Sequence, residues 1–175
     1  MKLTKKLLAM ALAGVMLLTI LTGCSGGKTG DRLVEEYLAA YYHGFDAYKD
    51  KPITHDVPEI KTVADMFETS WLKDDGSWTF SSKTPNNPKY KALRDVFNKY
   101  ASGYTVNLYA FEVDSKQSEL HQTMRVMSTI GYGLSVYNNT TSSSPLTAVK
   151  CATRLVTRGE KSYRIAVIIY NHTAG

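Results

Sequence analysis

The spacing of apolar residues changes character once along this chain, at Gly103, and that change limits the fold more than any single motif. Before it, apolar side chains recur at steps of three and four, the period of an amphipathic helix. Val34, Tyr37, Leu38, Tyr41, Phe45 and Tyr48 predict a helix over residues 31–48. A second helix starts near Thr62, whose hydroxyl is placed to cap it with Asp65 in the first turn, and buries Val63, Met66, Phe67 and Trp71. Asn87 followed by Pro88 reads as a cap and a first-turn proline, with Tyr90, Leu93, Phe97 and Tyr100 extending that helix to about Ala101. Between the last two, residues 77–80 read as a short strand.

After Gly103 the period is two. Strands are expected over residues 104–113, 123–137, 148–157 and 162–171, the last two joined by a turn at Arg158, Gly159, Glu160 and Lys161. In the long second strand Met124, Val126, Ile130, Tyr132, Leu134 and Val136 would share a face, with Gly131 and Gly133 marking a bulge or sharp bend. The expected class is therefore α+β: N-terminal helices packed on one face of a strongly curved antiparallel sheet of about four long strands.

The first residues do not belong to that domain. Lys2, Lys5 and Lys6 precede an apolar, uncharged run from Leu7 to Ile20, which is the layout of a secretory signal and short for a membrane span. The run leads into Leu21, Thr22, Gly23 and Cys24, which resemble the lipobox of bacterial lipoproteins at all four positions. The resemblance implies acylation of the Cys24 thiol and cleavage before it. The chain then divides into a signal peptide (1–23), a lipidated cysteine with a flexible glycine-rich tether (24–30) and a single domain (31–175) facing outside the cytoplasm. Each buried acyl methylene contributes about 0.8 kcal/mol, so two chains on one residue anchor stably. Lys28 and Thr29 after Gly27 also echo a phosphate-binding loop, but its first glycine would fall on Thr22 and no strand precedes it.

Removing residues 1–23 strips three lysines and no acid, taking Lys plus Arg from 21 to 18 against 16 Asp plus Glu, so the formal charge falls from +5 to +2. A basic excess that would suggest nucleic acid is thus largely a targeting device, and no basic stripe interleaved with aromatics suits single-stranded nucleic acid. With Cys24 acylated, Cys151 has no disulfide partner and reads as a buried thiol.

The order of three helices followed by long strands, closing on Thr157 to Asn171, resembles the nuclear-transport-factor-two-like (SnoaL-like) superfamily. That likeness implies a conical pocket between sheet and helices, used by members for ligand binding, for lyase or isomerase chemistry, or for protein docking. Candidate general bases for such chemistry are Glu112 and His121, on either side of a predicted turn, and Asp46 on the first helix. His43, His55, His121 and His172 form no metal-binding spacing, and no metal or other cofactor is expected. Twelve tyrosines are the one compositional excess. Tyr41, Tyr42, Trp71 and Trp78 are candidates for a pocket or docking surface, since rings with a polar tip suit a half-wet site. The expected role is a lipid-anchored, non-catalytic module whose partners are membrane lipid through Cys24 and a small ligand or envelope protein. The alternatives are a small lyase or isomerase, and an envelope-assembly scaffold that would form a homodimer.

Overall fold

The computed structural model describes residues 30–114, 116–128, 133–138 and 145–172. The signal segment, Leu21, Thr22, Gly23 and Cys24 lie outside the described residues, as do Ile130, Gly131 and Tyr132. The helices are α1 (Gly30–His43), α2 (Glu59–Met66), α3 (Pro88–Val96) and α4 (Glu119–Ser128). The strands are β1 (Ile53–Thr54), β2 (Tyr104–Val113), β3 (Leu134–Asn138), β4 (Ala148–Arg158) and β5 (Lys161–Asn171). They form one mixed sheet in the order β1-β4-β5-β2-β3, with β1 parallel to β4 and every other pair antiparallel. The class is α+β, with five strands where about four long ones are expected, and the sheet is open rather than strongly curled into a cone.

Helices cover both faces of this sheet, not one. Along β5, alternation sends Tyr163, Ile165, Val167 and Ile169 to one side and Arg164, Ala166, Ile168 and Tyr170 to the other. The first set packs with Ile60 and Val63 of α2, Phe67, and Leu93 of α3. The second packs with Val34, Leu38 and Tyr42 of α1 and Val126 of α4. Two cores therefore share the central strands, and β5 is buried on both faces. The unbroken apolar run Ile165, Ala166, Val167, Ile168, Ile169 is the sequence mark of that situation, because a strand with one wet face alternates.

Residues 119–128 form a helix, which takes the first six residues, 123–128, of the strand expected over 123–137. The hydroxyl oxygen of Ser118 accepts the N–H of His121 at 3.3 Å, a cap that starts the turn, and Gln122, Thr123 and Val126 then share the buried face. Met124, which a strand would place beside Val126, is exposed. Of the described residues of that expected strand, Leu134 to Tyr137 are extended. Gly133 is there for space: a Cβ would lie 2.5 Å from the Tyr109 ring. The β2–β3 register slips instead between Val106 and Asn107. At residues 77–80 there is only an isolated bridge between Leu72 and Trp78. Helix α1 ends at His43, ahead of Gly44, and α2 begins at Glu59 behind Pro58, whose fixed φ starts the turn ahead of Thr62. The Asn87 cap is found as expected, accepting the N–H of Lys89 at 2.9 Å. No helix among the described residues is long and apolar enough to cross a membrane.

Candidate functional site

Among the described residues, two gatherings of polar groups bear on function: a buried network under α1, and an open cleft where β2 and the β4–β5 hairpin meet the start of α4. In the network, Arg164 is 1% exposed beside the apolar run Ile165 to Ile169 of β5. Its Nε–H donates to Gln122 Oε1 at 2.8 Å, and its Nη1 reaches Asp31 Oδ1 and, at 3.4 Å, Thr153 Oγ1. Asp31 Oδ1 also accepts the Leu155 N–H at 2.9 Å. One residue thus ties the first turn of α1 to β4, β5 and, through Gln122, α4. A buried guanidinium is tolerated only when its donors are met this way.

One helical turn further on, Glu35 Oε1 accepts the Thr153 N–H at 2.9 Å, and its other oxygen lies 3.8 Å from His55 Nδ1. The same ring nitrogen lies 3.5 Å from Cys151 Sγ and 3.3 Å from the Cys151 carbonyl oxygen. Thiol, imidazole and carboxylate are the components of a nucleophilic relay, but a relay needs the base to face the nucleophile with one nitrogen and its orienting acid with the other. Here all converge on Nδ1. Burial pushes the Cys151 thiol up to about 12, so it is a protonated, enclosed sulfhydryl. The trio is a structural joint. It forms because β1 pairs Ile53 with Val149, which carries His55 to the side of Cys151, 96 residues away. A two-residue strand leaves too little pattern for the sequence to show this.

Burial, with the Arg32 charge next, holds His55 below the ordinary imidazole range. The unfolded chain then takes up a proton near pH 6.5 that the folded chain resists, so this contribution is full above that pH and declines as pH falls toward the folded value. Burial raises Glu35, whose contribution has the opposite sign: present at low pH and lost as pH rises through its folded value. Comparing wild type with His55→Asn leaves the Glu35 contribution in both. The variant is expected to give a flatter dependence of Tm on pH between about 7 and 5. A wild-type curve no steeper than the variant's would refute the assignment.

The cleft has a volume of about 510 Å³ and is lined by Glu112, Val113, Asp114, Gln117, Arg125, Glu160, Lys161 and Ser162. Three of its charged side chains are engaged: Lys161 Nζ lies 2.9 Å from Glu112 Oε2, and Arg125 donates to the Glu112 carbonyl at 2.7 Å and lies over the Phe111 ring, 4.6 Å from its centroid. The three candidate bases are not brought together. Glu112 alternates with Phe111 and Val113 and so points to the α2/α3 side, whereas His121 stands exposed on α4, across the sheet. Asp46 is exposed in the turn after α1. The aromatic candidates also separate. Tyr42 is buried in the α1 core with its hydroxyl 2.8 Å from that of Tyr170, and Tyr41 is half-buried beside Phe45. Trp71 is buried in the opposite core with half-buried Trp78, their centroids 6.5 Å apart. Both sheet faces are filled by side chains where a cone would be hollow. Among the described residues no group of three or more His, Cys, Asp and Glu is placed to hold a metal ion. Compared with known proteins, the chain matches no family model, no curated protein and no solved structure.

Proposed function

We propose that the chain is a lipoprotein anchored through acylated Cys24, carrying a non-catalytic binding domain outside the cytoplasmic membrane. The observation that carries the anchor is the four-residue match at Leu21, Thr22, Gly23 and Cys24 behind a basic start and an apolar run, six residues ahead of α1. What favours binding over lyase or isomerase chemistry is the dispersal of Glu112, His121 and Asp46 to three separate exposed positions. General acid–base work needs such groups within hydrogen-bond reach of one substrate. The polar cleft at Glu112, Arg125 and Lys161 is the docking place in this reading, for a small polar ligand or a loop of an envelope protein. The superfamily likeness contributes little here, because its pocket would lie on a sheet face that Ile165, Val167 and Ile169 fill.

Cys24→Ser tests the anchor. In a bacterial host the wild type is expected in the membrane fraction, and the variant as unacylated precursor without a lipid-dependent shift in mobility. Equal acyl labelling of both would remove the reading. Turnover of a small substrate that Glu112→Gln or His121→Ala abolishes would replace binding by catalysis.

A further inference from the structure

The exposed large hydrophobic side chains among the described residues are Phe45, Leu120, Met124 and Leu155, and all four lie on the α1/α4 side of the sheet. Leu120 and Met124 are one turn apart on α4, and Met124 is 58% exposed. Phe45 follows the end of α1 and meets Tyr41 edge to face, centroids 4.8 Å apart. Leu155 shares its strand face with Cys151 and Thr153, and its N–H is held by Asp31. The α2/α3 side has no exposed large hydrophobic residue among those described. This asymmetry coincides with the point where the chain leaves the domain. Gly30 opens α1 against the start of α4, where a Cβ would stand 3.2 Å from Glu119 Oε1.

Only residues 25–29 lie between Cys24 and Gly30, a reach of at most about 20 Å even fully extended. A domain of about 145 residues is roughly 40 Å across. A tether that short, starting on the α1/α4 layer, cannot turn the α2/α3 side toward the lipid into which Cys24 inserts. From the tether length and the one-sided exposed hydrophobics together, we infer that the α1/α4 face rests on the bilayer surface, with Leu120, Met124 and Leu155 entering the headgroup region. The inference rests on the acylation of Cys24. An amphipathic layer of this kind lies in the interface with its apolar side chains a few ångströms deep, and the anchor supplies most of the affinity while the face sets the orientation. The α2/α3 side then points away from the membrane, as does Glu112 with it.

The test uses the full acylated chain. Cys151 is buried and Cys24 carries lipid, so a cysteine introduced at Met124 or, as a control on the far side, at exposed Lys91 takes an environment-sensitive fluorophore alone. The labelled proteins are reconstituted into phosphatidylethanolamine–phosphatidylglycerol vesicles with and without a lipid-borne quencher. Quenching at position 124 is expected to exceed that at position 91 by threefold or more. Equal quenching at both positions would overturn the inference. So would a lipid-independent dimer in detergent that Met124→Glu dissociates, since a second copy would then cover the face. Absence of an acyl mass on Cys24, with no vesicle association, would instead mark failure of the anchor itself.

Discussion

Asp31→Ala is expected to lower the free energy of unfolding by about 3 kcal/mol, the low end for breaking a buried ion pair because Asp31 keeps part of its surface in water. The loss has two sources. Arg164 stays 1% exposed with a full charge and only Gln122 and Thr153 as side-chain acceptors, and the Leu155 N–H loses its acceptor. Arg164→Met in the same background is expected to recover part of the loss, because an apolar side chain of similar length removes the stranded charge. Urea unfolding of wild type, single and double variants separates charge from packing. A single variant within 0.5 kcal/mol of wild type, on the order of a surface substitution, would show that the network does not hold α1 to the sheet.

Ile165→Ala and Ile168→Ala are each expected to cost about 2–5 kcal/mol, the range for truncating a buried aliphatic side chain. Both residues are fully buried, Ile165 against the α2/α3 core and Ile168 against the α1/α4 core. They point to opposite sides of β5, so a sheet covered on one face would lose heavily at one and almost nothing at the other. Two large losses are the signature of two cores. A near-neutral result at either position would contradict the three-layer arrangement.

The same strand shows what the sequence made legible. Period-two patterning located β2, β4 and β5 to within one residue, and the asparagine-proline pair located the start of α3. The apolar run through Ile165 to Ile169 already carried the second core, and a helix of one buried face and a strand of two buried faces are distinguished by such runs. Residues 123–128 read as strand because Met124 and Val126 fit a period of two, whereas the Ser118 cap and the burial of Gln122 belong to a helix. The buried network was hidden for a different reason. Asp31, Thr153 and Arg164 are ordinary in their local segments, and what makes them a unit is the pairing of β4 with β5 under α1. Likewise Glu112 and His121 are near in sequence but are separated by the sheet, since alternation sends Glu112 to the face that α4 does not cover.

The mass of the N-terminal peptide of the chain recovered from bacterial membranes decides whether Cys24 is the lipid anchor. The expected peptide begins at Cys24 and carries a diacylglyceryl group, with residues 1–23 absent. A peptide beginning at Met1, or one beginning elsewhere with Cys24 as a free thiol, would contradict it.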